Sequence, residues 1–263
     1  MPSAKPVPSN LSPVLGLAGR TAPVLLIVAL LGAWELLCGL THIPEFLLPA
    51  PSAIAKAVAS IAPGRWAEHI LATVLVSLAG FAFAMLFAIP AAILFVRSRF
   101  LSRLVFPLLV VVQATPIVAI APLLIVTFGT GPLSRVLITV AITFFPLVVS
   151  ASTGMQSTPV ELIELSRSLR APASREIWQI RMPYALPHLF SGMKVAITLS
   201  VIGAVVAEFV ASERGLGYLV QYSTSSFNIP ATYGALIVLA MVSLFLYKTV
   251  EFLQNHFLKW SVI

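Results

Sequence analysis

The sequence contains no aspartate, and all nine of its acidic residues are glutamates. That removes most of the usual carboxylate metal sites. Its single cysteine, Cys38, sits in an apolar stretch, so no intramolecular disulfide can form and the thiol reads as a small buried hydrophobe. Charge of either sign is scarce: 10% of residues are charged and 59% are hydrophobic, against about 25% charged and 45–50% apolar in water-soluble domains. None of the five lysines follows a glycine directly, which excludes a G-x-x-x-x-G-K-[ST] phosphate loop. The nucleophile motif G-x-S-x-G is missing as well. His42, His69, His188 and His256 are scattered without metal-ligand spacing and read as surface or interfacial residues. Catalysis within this chain is not expected.

What the sequence has in abundance is apolar runs, and about 20 such residues cross a bilayer core. Six spans are read: 22–40, interrupted only by Glu35, then 70–96, 104–128, 133–150, 189–211 and 231–248. The first is longer than the roughly 7–15 apolar residues of a signal peptide, and further spans follow, so cleavage is not expected. Residues 1–21, rich in proline, serine and alanine, read as a flexible tail, and 22–263 as one membrane domain. Pro44, Pro49, Pro51 and Pro63 break any long helix after the first span but leave room for a short surface helix over 53–61. The third span holds Pro107, Pro116 and Pro122. Prolines at that depth free backbone carbonyls that need shelter in protein or a wet cavity, so this span is not a plain lipid-facing rod. The expected fold class is all-α, a polytopic membrane protein of about six transmembrane helices.

A net charge of +7 would suit nucleic acid in a soluble chain, but the basic residues form no single run, and no nucleic-acid partner is expected. With six spans, both termini lie on one side. If that side is inside, the inner set holds twelve basic residues: Lys5, Arg20, Arg97, Arg99, Arg103, Arg167, Arg170, Arg175, Arg181, Lys194, Lys248 and Lys259. The outer set is Lys56, Arg65, Arg135 and Arg214. Short loops rich in Lys and Arg stay in the cytoplasm, so both termini and the polar segment 156–184 are assigned there. That segment is also patterned. Leu162, Leu165 and Leu169 share one helix face, a break comes next, and a second short helix can start at Pro172 with Ile177 and Ile180 on one face.

The same stretch resembles the EAA loop of permease subunits of bacterial ABC importers, whose signature reads Glu-Ala-Ala, three residues, Gly, nine residues, Ile, one residue, Leu-Pro. Here Glu164 begins the match, Leu165 and Ser166 replace the alanines, Arg170 stands where glycine is usual, and Ile180, Met182 and Pro183 close it at the right spacing. Glycine there permits a tight turn into the coupling helix, so Arg170-Ala171-Pro172 is expected to make that break differently. Trp34-Glu35-Leu36-Leu37, Leu48-Pro49-Ala50-Pro51-Ser52, Phe128-Gly129, Ala207-Glu208-Phe209 and Gly215-Leu216-Gly217-Tyr218 are similar to the branch importing nitrate, sulfonates, taurine or thiamine pyrimidine precursors. The resemblance implies a type I importer permease fold in the bacterial inner membrane and a homodimer. It also implies a separate ABC ATP-binding subunit that carries ATP and Mg, a periplasmic or lipid-anchored solute-binding protein, and no cofactor in this chain. Coupling to the ATPase would fall to Glu164, Leu169, Arg170, Ala171, Pro172, Arg175, Ile177, Ile180 and Pro183, with Leu169, Ala171 and Ile177 supplying buried contact.

Polar residues at membrane depth are the remaining candidates. Gln113, Thr115 and Pro116 lie in the broken third span and are expected to line the pore. Intramembrane charge is costly and marks function by default, so Glu208 is read as a pore-lining carboxylate or as a solvated interfacial one, and Glu35 as paired with a neighbour. The alternative function is an ion-coupled secondary transporter using Glu35 and Glu208. It predicts repeats related by inversion, and no clear repeat is visible.

Overall fold

The computed structural model describes residues 12–41 and 43–259, and side chains at residue 22 and from residue 24 onward within those ranges. Lys5 of the expected tail, the Arg20 side chain and His42 lie outside the described residues. Within them every regular element is a helix: α1 (Ser12–Thr41), α2 (Pro51–Ser60), α3 (Pro63–Arg97), α4 (Arg99–Ala114), α5 (Ile117–Phe128), α6 (Pro132–Gln156), α7 (Val160–Ser168), α8 (Ala173–Arg175), α9 (Met182–Ala211), α10 (Leu216–Ser225) and α11 (Ile229–Phe257), with a π-helical turn at Glu176–Arg181 between α8 and α9. α1, α3, α6, the continuous run Ala173–Ala211 and α11 are long and apolar enough to cross a membrane, and the bent pair α4 and α5 is apolar enough to count as a sixth if its two helices form one broken span and not a re-entrant loop.

Proline sets several of these boundaries. α2, α3 and α6 begin on Pro51, Pro63 and Pro132, where the missing N–H costs nothing because a first-turn donor has no intrahelical partner. At Pro116 the same residue breaks a span. It forces Thr115 into an extended conformation (φ −77°, ψ 128°), and α4 and α5 diverge by 96° there. The expected break in the third span is therefore present, but the span begins earlier than expected. Arg99 and Arg103 are inside α4, and Ser98 alone separates α3 from α4, its hydroxyl accepting the Leu101 N–H at 3.2 Å.

The core is α6 between α3 and α9. Ala84, Ala88 and Ala92 of α3, spaced by four, are buried, while Phe83, Leu86, Phe87 and Leu94 of the same helix are exposed. This inverts the pattern of a soluble helix. Lipid is as apolar as leucine, so spans associate through close van der Waals contact between small residues. At Gly203 on α9 a side-chain carbon would come within 2.8 Å of the Thr139 Cα on α6. Some buried hydroxyls are satisfied within their own helices, as with Ser77 to the Thr73 carbonyl at 2.7 Å and Thr143 to the Thr139 carbonyl at 2.8 Å. α1 stands at the edge. It is tied on by Trp34 against Tyr233, ring centroids 6.3 Å apart, and by Glu35, whose carboxylate accepts the Ser52 N–H at 3.0 Å and hydroxyl at 2.7 Å. Glu35 thus pairs with a neighbour, as its sequence context suggested, and caps the first turn of α2 from another helix.

Candidate functional site

The segment 156–184 forms a hook. α7 ends where Leu169 and Arg170 turn, and Arg170 takes a φ of 51° in the left-handed region. The Ala171 N–H reaches the Ser166 carbonyl at 3.0 Å and the Arg170 N–H the Arg167 carbonyl at 2.9 Å, the paired bonds of a Schellman stop. Pro172 then prevents continuation. The expectation that Arg170 would force a different break is corrected: arginine occupies the conformation that glycine fills elsewhere, with its side chain exposed. The stretch beyond Pro172 differs from expectation as well. In place of a separate short helix, it is an extension of the helix that forms the span Ala173–Ala211, running through α8 and the π turn into α9 without a break.

Glu176 fastens the hook. Its carboxylate pairs with Arg181 at 2.8 Å and Arg167 at 3.5 Å, and Arg181 also donates to the Met155 carbonyl at 3.2 Å. Ile163 and Ser166 turn inward, so the face carrying Leu165 and Leu169 is the outer one. Leu169 is 73% exposed. Glu164, Pro172 and Arg175 are exposed too, and Ala171, Ile180 and Pro183 are half-buried. Ile177 departs from expectation. It is only 5% exposed and packs into the chain's own interior, so it cannot supply surface to a partner. Sequence reasoning missed Trp178, which is 60% exposed in this polar segment. The signal was there to be used, since a tryptophan in a charged loop has little reason to face water unless something covers it.

At the opposite end of α9, Glu208 also departs from expectation. It is 1% exposed and faces neither lumen nor solvent. Its carboxylate accepts the Thr73 hydroxyl at 2.8 Å and the Gly217 N–H at 2.7 Å, while Leu216 N–H donates to Thr73 at 2.7 Å and Gly215 N–H to His69 Nδ1 at 3.1 Å. The physical reason is the N-terminus of α10, whose first N–H groups have no intrahelical acceptor and would be costly if buried unpaired. Side chains from α3 and α9 fill that need. His69, expected at a surface or interface, is accordingly buried. Gly215 has a φ of 118°, and any side chain on it would overlap the Glu208 carboxylate. Beside this clamp a pocket of about 610 Å³ is lined by Arg135, Tyr218 and Gln221 among others.

Gln113, Thr115 and Pro116 are exposed at the 96° bend. Gln113 borders two open grooves, one of about 430 Å³ with Phe145, Ser150 and Ser191, the other of about 260 Å³ with Thr115, Pro116 and Ile202. Neither groove has a charged residue in its lining. The Thr115 hydroxyl gives its one hydrogen to the Val111 carbonyl at 3.0 Å, which leaves the Gln113 amide as the side-chain donor of the bend.

The family described as binding-protein-dependent transport system inner membrane component matches residues 80–261. Over 250 residues the chain is 35% identical to the riboflavin transport system permease protein RibX of Chloroflexus aurantiacus, covering 95% of this chain and 91% of that one. It is 29% identical over 238 residues to the formylaminopyrimidine transport permease protein ThiX of Halalkalibacterium halodurans, covering 90% and 95%. Among solved structures, an inward-facing conformation of the MetNI methionine ABC transporter aligns with a TM-score of 0.65 at 17% identity, over 72% of this chain and 94% of that one. That likeness is one of fold.

Proposed function

The chain belongs to the family of binding-protein-dependent transport system inner membrane components, as a permease subunit of an ABC importer, and on that footing we propose that two copies form the path through which ATP hydrolysis in a partner subunit drives a small heterocyclic solute inward. One observation carries this reading: a fastened hook between the fourth and fifth spans, with Leu165, Leu169 and Trp178 turned outward where the bilayer cannot cover them. An ATP-binding subunit holding ATP and Mg docks there, and a solute-binding protein delivers from the other face. Both termini and the hook are cytoplasmic in this reading, because the basic residues divide twelve to four.

The solute class is read from the grooves at the bend. An anion such as a sulfonate or nitrate would call for a cation at membrane depth, whereas Gln113 and the flanking serines offer neutral hydrogen bonds beside the aromatic Phe145. A pyrimidine or flavin ring matches that lining, as do the names of the two relatives above. Ion coupling through Glu35 and Glu208 is not favoured, since both carboxylates are committed to helix ends. The test is uptake of a labelled pyrimidine into inside-out and right-side-out vesicles carrying the permease with its ATPase and binding protein. Uptake should require ATP, survive a protonophore and be left untouched by excess taurine. Collapse of uptake by the protonophore alone would refute the reading.

A further inference from the structure

The cytoplasmic end carries a feature that neither docking of an ATPase on the hook nor the solute path uses. Five arginines, Arg97, Arg99, Arg103, Arg167 and Arg181, line one cleft of about 800 Å³ between the α3–α4 corner and the α6–α7 corner. Ser102 and Gln156 add a hydroxyl and an amide to it. The acid that adjoins it is Glu176, already held by Arg181 at 2.8 Å and Arg167 at 3.5 Å. Among the described residues, Arg97, Arg99 and Arg103 have no carboxylate within ion-pair distance. At least three uncompensated positive charges therefore share one concavity.

The sequence around these arginines says what kind of anion fits. Leu94, Phe100 and Leu104 are interspersed with Arg97, Arg99 and Arg103 along the α3–α4 corner and are exposed. Large apolar side chains and guanidinium groups in one short stretch mark the boundary between hydrocarbon and headgroups, where each kind can face its own solvent. Guanidinium forks bind phosphate oxygens in pairs, and basic pockets between spans on the cytoplasmic side attract anionic headgroups. Solvated loop arginines that serve topology alone have no cause to converge on a cleft with further donors. We propose that this cleft binds the phosphate of an anionic phospholipid of the inner leaflet, with the acyl chains lying over Leu94, Phe100 and Leu104.

The test uses the permease co-purified with its ATPase, exchanged into nanodiscs of equal phosphatidylglycerol and phosphatidylcholine, with native mass spectrometry counting the lipids that remain bound. The wild-type complex should retain phosphatidylglycerol preferentially. Combining Arg97→Gln, Arg99→Gln and Arg103→Gln should reduce that preference by about fivefold per arginine removed. If the triple variant fails to assemble, Arg99→Gln alone carries the test, because Arg99 is exposed and starts α4. An unchanged lipid ratio in the variant would overturn the proposal. So would displacement of the bound lipid by inorganic phosphate at matched ionic strength, which would make this a free-anion site. Loss of the ATPase with lipid preference intact would show instead that these arginines face the ATPase, and it would leave the importer reading standing.

Discussion

The Glu208 carboxylate lies 2.7 Å from the backbone nitrogen of Gly217, so that an acid near the end of α9 caps the start of α10. Because Thr73 of α3 donates to the same carboxylate at 2.8 Å, one buried side chain joins three helices. Glu208→Ala should lower the thermal unfolding midpoint in detergent, each buried donor left unpaired costing about 1–3 kcal/mol. Glu208→Gln should fall between, since the amide accepts one bond and turns its own N–H toward the other donor. Gly215→Ala should lower the midpoint too, its backbone being left-handed and its space already occupied. A Glu208→Ala midpoint equal to wild type would mean that the clamp does not hold this end together.

Arg170 stores strain that can be released. Its left-handed φ of 51° costs a side-chain-bearing residue about 1–2 kcal/mol relative to the right-handed region. Arg170→Gly should relieve most of that cost, partly offset by the greater freedom of glycine when unfolded, and slow hydrogen exchange at the Ala171 amide that closes the turn. Arg170→Val should do the opposite, because a β-branched residue tolerates that region least. Identical exchange in all three chains would mean that the turn is held by other contacts.

The bend at Thr115-Pro116 divides the labour of its two polar residues. Since the Thr115 hydroxyl already bonds the Val111 carbonyl, Thr115→Val should leave transport near wild type, while Gln113→Leu should reduce it by about tenfold through loss of the free amide in a desolvated path. Initial uptake rates at equal permease abundance distinguish the two. Equal loss in both variants would point to backbone disturbance at the bend and not to recognition by Gln113.

The spans were legible because length and apolarity are local properties. The break at Pro116 was legible for the same reason, and so was the hook, whose charge contrasts with its surroundings. The fate of Glu208 was not, because its partners Thr73 and Gly217 lie 135 and nine residues away and neither carries a charge. Ile177 misled in another way. A three-residue spacing puts it beside Ile180, but the π turn at Glu176–Arg181 rotates the register, so Ile177 is buried and Trp178 exposed. Arg170 shows a turn dictated by the bonds it must close overriding residue preference, and Phe227, with a φ of 55° at the end of α10, does the same.

Topology is open to direct chemistry. Cys38 is buried, and a Cys38→Ala background clears the way for single cysteines at Arg65, on the first turn of α3, and at Arg175, exposed on the hook. A membrane-impermeant maleimide should label Arg65→Cys in intact spheroplasts and Arg175→Cys only after permeabilisation. The reverse pattern would invert the assignment of every loop, the arginine cleft included.

The hook itself bears the heaviest weight. Leu165, Leu169 and Trp178 expose apolar surface in a segment that belongs in water, so a partner surface is the natural cover, and contacts buried there exclude solvent. Leu169→Asp combined with Ala171→Glu would place two carboxylates in that contact, each desolvated without a counter-charge. The amount of ATPase co-purified should fall by about tenfold or more, and solute-stimulated hydrolysis should fall with it, while the permease still inserts and runs as a monodisperse species. Trp178→Ala should weaken association by a smaller factor and add to the effect of Leu169→Asp. Ile177→Asp is the informative contrast. Because Ile177 packs inside the chain, its replacement should unsettle the hook itself, seen as faster hydrogen exchange from Val160 to Arg181 in the permease alone, whereas Leu169→Asp should leave that exchange unchanged. If the ATPase still bound and responded with both Leu169→Asp and Ala171→Glu in place, docking would have to lie elsewhere on the cytoplasmic face, and the coupling role assigned to residues 156–184 would fall.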